Sequence, residues 1–223
     1  MPQDLTRISL AGVNCYLLRT GEGYVLVDTG YAGKRGFLEK KLADSGCRPG
    51  DLKLIILTHG DIDHAGNAAY LRERFGAKIA MHRGDAGMAE HGDMGWNRKK
   101  KSDRVSLVFR ILMVLSPLFA SSAKFETFVP DFLVDESYDL SAYGLDAKVV
   151  GLPGHSKGSI GVLTASGDLI CGDFVYNMAG FKLINDFPDH VSSMEKVRKL
   201  DVTMIYPGHG KPISVDRFRR KYG

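Results

Sequence analysis

Cysteine is scarce and scattered in this 223-residue chain: Cys15, Cys47 and Cys171 form no CxxC pair and no even framework. That argues against a disulfide scaffold or a thiolate zinc site, and for a reducing compartment. The N-terminus, MPQDLTRISLAG, lacks an apolar signal core, so the sequence reads as cytoplasmic with no export signal. Long hydrophobic runs are missing as well. The most apolar stretch, residues 105–123, contains Arg110 and Pro117 and is marginal in length for a bilayer span. It reads as a soluble or interfacial helix. Low-complexity tracts and short-period repeats are absent. Charge of one sign is lacking too: a formal +4 suits an anionic substrate or surface, and solubility accounts for it equally well.

What is present is an ordinary globular composition, 44% hydrophobic and 25% charged, long enough for one large domain or two small ones. Strands are expected at Leu5–Leu10, Val13–Arg19 and Tyr24–Asp28, with a turn at Gly21–Glu22–Gly23. Residues 33–45 read as a helix with Phe37, Leu38, Lys41 and Leu42 on one side and Gly46 as its stop. Leu54–Leu57 is an uninterrupted apolar strand, as in a sheet buried on both faces. A helix over 68–75, a strand at Lys78–His82, a strand at Ala147–Leu152 and a hairpin of Ile160–Thr164 with Asp168–Cys171 follow. Ser193–Leu200 reads as a helix and Val202–Tyr206 as the last strand, which together indicate a layered α/β fold.

The densest chemical signal is Thr58-His59-Gly60-Asp61-Ile62-Asp63-His64, where a strand end delivers two imidazoles and two carboxylates into a turning loop. Such donors suit divalent cations. The alternative is a polar loop in which Asp61 or Asp63 merely caps the following helix. Three later segments share a pattern of strand, glycine turn and donor: Pro153-Gly154-His155, Cys171-Gly172-Asp173 and Pro207-Gly208-His209. Glycine permits the sharp turn and leaves room beside an ion. His82, His91 and His190 lack this pattern and read as packed or solvated histidines.

In order along the chain, these motifs resemble the ligand motifs of the metallo-β-lactamase superfamily. Val25-Leu26-Val27-Asp28-Thr29-Gly30 is also similar to that family's early strand ending in aspartate. The resemblance implies a four-layer αββα sandwich with a dinuclear site at one edge of the paired sheets. His59, Asp61 and His155 would hold the first metal, Asp63, His64 and His209 the second, and Asp173 would bridge. Asp28 would orient a ligand from behind, or serve only as a strand-end turn residue. The usual motif carries histidine where this chain has Asp61, and flavodiiron proteins resemble this variation. Zinc is the first expectation for both ions, with iron or manganese favoured by the oxygen donor.

The chemistry implied is hydrolysis: hydroxide held by the metals attacks an ester, lactone or thioester carbonyl of a small-molecule substrate, an acyl-bearing one among the candidates. Asp63 and Asp173 would serve the reaction as well as the metals. Three ligand carboxylates offset three of four metal charges, and hydroxide completes neutrality. Tyr176, three residues after Asp173, resembles the tyrosine of acyl-homoserine lactonases and would donate to an oxyanion, or else pack beside the site. Cys171 reads as a buried strand residue. Alternatives are a di-iron redox protein of flavodiiron type, for which 223 residues leave no room for a flavin domain, and a phosphodiesterase or nuclease. A nonenzymatic metal-dependent sensor or binding protein is a further alternative.

Residues 88–137 interrupt the expected rhythm of the single domain. The basic run from Arg98 to Arg104 precedes a segment, 105–119, whose apolar residues cover about half a helical wheel. A core-facing helix with a homodimer contact, a lid over the metal pocket, and membrane-surface docking are the competing readings. Nucleic-acid binding is not expected, because apart from Trp96 the lysine run has no interleaved aromatics.

Overall fold

A computed structural model describes residues 5–108, 110–111, 126–178 and 182–222. The first strands form a meander: β1 (Leu5–Leu10), β2 (Val13–Thr20) and β3 (Gly23–Val27) pair antiparallel in sequence. Helix α1 (Arg35–Asp44) then returns the chain to β4 (Leu52–Leu57), which lies parallel to β3. Leu38 and Leu42 of α1 are buried, whereas Phe37, expected on the same side, is 47% exposed. After the single turn α2 (Ile62–Ala65), helix α3 (Ala68–Phe75) leads to β5 (Lys78–His82), parallel to β4. Helix α4 (Arg83–His91) follows at once, its first turn capped by the His82 ring accepting from the Gly84 N–H.

The described parts of the segment set apart at 88–137 pair with both halves of the fold. The segment begins inside α4, and Arg104–Val105 (β6) is a short strand rather than a helix start, pairing with β11 (Leu183–Ile184). Near its end β7 (Phe132–Val134) adds a parallel edge strand to β5. Most of the apolar helix expected over 105–119 lies outside the described residues. Leu107, Val108 and Ile111, which are described, are exposed.

The second half supplies β8 (Ala147–Gly151), β9 (Ile160–Thr164), β10 (Asp168–Asn177), α5 (Phe187–Lys199), β12 (Met204–Gly210), β13 (Ile213–Ser214) and α6 (Val215–Tyr222). The strand path is β7-β5-β4-β3-β2-β12-β10-β9-β8, with β1 on β2 and β13 on β12. This path is folded over, as three separate apolar clusters demonstrate. Leu38, Leu42, Leu71 and Phe75 of α1 and α3 pack on one face of the first half. Val25, Val27, Leu54 and Ile56 meet Val149, Val162, Ile170 and Tyr206 between the halves. Met194, Val197 and Phe218 of α5 and α6 cover the outer face of the second half. Three cores separate four layers, the αββα sandwich. Among the described residues no helix is long and apolar enough to cross a membrane.

Candidate metal centre

The site forms where strand ends from both halves of the sandwich meet. β4 runs out at Leu57 and delivers Thr58 and His59, after which α2 turns Asp63 and His64 inward. Asp61 precedes that turn, but its side chain makes no capping hydrogen bond, so helix capping does not account for it. His155 comes from the loop after β8.

Asp173 and His209 lie within strands rather than beyond their ends, because β10 continues to Asn177 and β12 to Gly210. The ladder between these strands shifts register on either side of Gly172, a bulge that redirects Asp173. Gly172 has φ +50°, and a Cβ there would collide with the Thr58 hydroxyl. A Cβ on Gly208 would lie 2.5 Å from Asp173 Oδ1 and 2.6 Å from His64 Cε1. These glycines are what let the donors close in.

Two trios result: His59, His155 and Asp173 present ligand atoms within 4.8 Å of one another, and so do Asp63, His64 and His209. Asp173 faces both. Its Oδ2 lies 3.9 Å from His155 Nε2, while its Oδ1 lies 3.3 Å from His64 Nε2 and 3.4 Å from His209 Nε2. Asp63 Oδ2 lies 3.2 Å from His209 Nε2. Asp61 Oδ2 stands 3.0 Å from His155 Nε2 and 3.5 Å from His59 Nε2. The structure thus brings together His59, Asp61, Asp63, His64, His155, Asp173 and His209.

Each imidazole is held from behind. His64 Nδ1 donates to Asp28 Oδ2 at 2.8 Å, His209 Nδ1 to the Gly12 carbonyl at 2.9 Å, and His155 Nδ1 to the Leu183 carbonyl at 3.1 Å. The Thr58 hydroxyl donates to Asp28 and lies 3.0 Å from His59 Nδ1, from which it accepts. With Nδ1 protonated on each ring, all four Nε2 lone pairs aim at carboxylate oxygens. Acceptors facing acceptors need cations or extra protons between them. His59 Nε2, His64 Nε2 and Asp173 Oδ1 are indeed buried without a hydrogen-bond partner. Each such atom costs about 1–3 kcal/mol unless something satisfies it. The donor set therefore fits divalent cations.

With only protons present, the electrostatics show the same demand. Burial opposes the charge on His209, but Asp173 and Asp63 push its pKa up to about 10. Burial likewise opposes charge on His64, yet Asp28, Asp63 and Asp173 hold it well above the usual imidazole range. Burial would raise Asp173, but His209 and His64 hold it well below the ordinary carboxylate value.

Tyr176 is buried and stacks on His209 with ring centroids 5.7 Å apart. Its hydroxyl donates to Asp173 Oδ2 at 2.8 Å. That hydrogen bond ties Tyr176 to a candidate ligand and positions Asp173. Cys171 is buried in β10, and burial pushes its thiol pKa far up, which suits a structural residue. Outside the centre, His190 packs on Phe174 and His91 on Trp96.

Two residues of the site carry no local sequence signal. Asp85, 1% exposed in α4, accepts from Gly60 N, Ser156 Oγ and Gly158 N, tying the His59 loop to the His155 loop. Arg98, the first residue of the basic run, is inserted: its Nη2 lies 2.9 Å from Asp61 Oδ1 and 3.1 Å from His155 Nε2.

A family model described as metallo-beta-lactamase superfamily matches residues 9–209. A beta-lactamase-like protein 2 homolog of Caenorhabditis elegans is 24% identical over 92% of this chain, which spans 58% of that relative's length. Hydroxyacylglutathione hydrolase GloC of Haemophilus influenzae is 28% identical over 76% of this chain and 74% of its own. Among solved structures, a Cronobacter sakazakii metallo-beta-lactamase with a HARLDQ motif aligns at TM-score 0.70 and 20% identity, covering 93% of this chain and 75% of that one. The subclass B3 metallo-beta-lactamase BJP-1 of Bradyrhizobium japonicum aligns at TM-score 0.68 and 19% identity, covering 92% and 75%.

Proposed function

The chain belongs to the metallo-beta-lactamase superfamily, and from that premise we propose that it is a dinuclear metal-dependent hydrolase of an ester, lactone or thioester. The observation that carries this reading is the pair of ligand trios that meet at Asp173, with buried ligand atoms left unsatisfied between them. His59, Asp61 and His155 would hold one divalent ion and Asp63, His64 and His209 the other, with Asp173 shared. Zinc suits the imidazoles, and iron or manganese suits Asp61. When bound, the ions supply Lewis acidity and lower the pKa of water toward neutrality.

The chain's own groups do the remaining work. Asp28, Thr58 and the Gly12 and Leu183 carbonyls fix the four imidazole tautomers, so that Nε2 always faces inward. Tyr176 pins one oxygen of Asp173. Asp63, with side-chain exposure of 17% against 10% for Asp61 and 5% for Asp173, is the carboxylate placed to exchange a proton with entering water. No serine or cysteine nucleophile is required.

The thioester member of the substrate class draws support from the name of the Haemophilus relative, a hydroxyacylglutathione hydrolase. The test is turnover of acyl lactones, thioesters and phosphodiesters by protein stripped with chelator and reloaded with zinc, manganese or iron. Metal-dependent cleavage of a carbonyl substrate is expected. Cleavage of phosphodiesters alone, or of nothing, overturns the reading.

A further inference from the structure

Among the described residues, Arg98 is the one lysine or arginine whose charged group reaches the centre, and Asp63 and Asp173 form ion pairs only with histidines. Its guanidinium contacts Asp61 Oδ1 at 2.9 Å and His155 Nε2 at 3.1 Å. Because His155 Nδ1–H donates to the Leu183 carbonyl, Nε2 carries the ring's lone pair. An Arg98 N–H aimed at that lone pair consumes the electrons a metal would take. The guanidinium cannot shed its charge to make way.

The placement is built into the fold. Trp96 packs on His91 with ring centroids 4.1 Å apart, Asn97 Nδ2 donates to the Gly84 carbonyl, and the Lys99 N–H donates to Asn185 Oδ1. These contacts pin both sides of Arg98 to α4 and to the strand region after β10. Only 15% of the Arg98 side chain is exposed, so water screens its charge weakly.

We infer that Arg98 is a resident counter-cation of the His59–Asp61–His155 half, competing with a metal ion there, so that the two halves fill unequally. The inference rests on the metal-centre reading above and adds to it an order of filling. In the half formed by Asp63, His64 and His209, with Asp173 beside it, two carboxylates match one dication; the competitors there are protons, which leave as an ion binds, and among the described residues no guanidinium or ammonium pairs with these carboxylates. In the other half, Asp61 already has its neutralising partner. A second ion must displace Arg98 from His155 Nε2 and then tolerate a retained positive charge beside it.

The experiment is calorimetric titration of the chelator-stripped full chain with Zn(II) alone, and with Co(II) alone to follow its visible spectrum. Two affinity classes about tenfold or more apart are expected, a separation that one poorly screened charge can produce. Arg98→Ala should tighten the weaker class and leave the tighter one unchanged. Arg98→Gln, which keeps a hydrogen-bonding side chain without the charge, should do the same and stands in if the alanine variant does not fold. His59→Gln should abolish the weak class, and His209→Gln the tight one. Equal classes in the native chain, an unchanged weak class in both Arg98 variants, or the reverse histidine assignment overturns the inference alone. Failure of every variant and the native chain to bind either ion overturns the metal-centre reading, and the inference with it.

Discussion

Four imidazoles face three carboxylates across a buried gap, and whatever fills that gap must carry positive charge. Without metal, protons do so. His209, ordinarily near 6.5, is held to about 10, so at neutral pH it is protonated and unable to ligate. Metal uptake at pH 7 should therefore release protons, and apparent affinity should rise as pH climbs toward about 10. A pH indicator in weakly buffered solution reads this directly; zinc uptake without acidification contradicts it. The sign for stability is opposite. A raised folded pKa stabilises the empty chain below 6.5, and that contribution fades as pH rises through about 10. The candidate ligands were legible in sequence because metal chemistry restricts residue type and spacing around a tight loop. Arg98 was not. A basic run looks the same whether it is solvated or one member is turned inward, and only the contacts of Trp96, Asn97 and Lys99 distinguish the two.

Loops become precise here through groups on neighbouring helices. Asp85 of α4 holds Gly60, Ser156 and Gly158, so it fixes the distance between the His59 and His155 loops. Asp85→Ala leaves buried donors unpaired and should cost about 2–4 kcal/mol by denaturant unfolding, with weakened zinc binding. Native stability in that variant contradicts the role. Helix α5 offers a separate test through His190, which is buried against Phe174. Burial, helped by Lys182, His155 and Arg104, pushes its pKa down from 6.5 to about 4. The unfolded chain then binds a proton that the folded chain refuses, so stability is lost as pH falls from about 6.5 to about 4. In chelated protein, melting temperatures of His190→Gln should fall less steeply than native across that window; parallel curves refute the assignment. Sequence pattern located most strands of this region but ended β10 at Cys171 and β12 at Tyr206. Glycine and ligand residues interrupt apolar periodicity there, and a bulged ladder carries the strands onward despite them.

For the chain as a whole, three apolar cores hold four layers in register, and the centre sits where strand ends and loops of both halves meet. The layered class was readable because buried parallel strands give short apolar runs between helices. The position of β7 was not, since its pairing with β5 joins residues about fifty positions apart with no local signature. The account stands on metal held by nitrogen and oxygen alone, as all three cysteines are buried free thiols and none belongs to either ligand trio. X-ray absorption at the zinc edge of the loaded protein tests this most directly. It should show only nitrogen and oxygen neighbours at about 2.0–2.2 Å, with the outer scattering of imidazole rings. A sulfur shell at about 2.3 Å, or zinc that washes away without any imidazole signature, would contradict it.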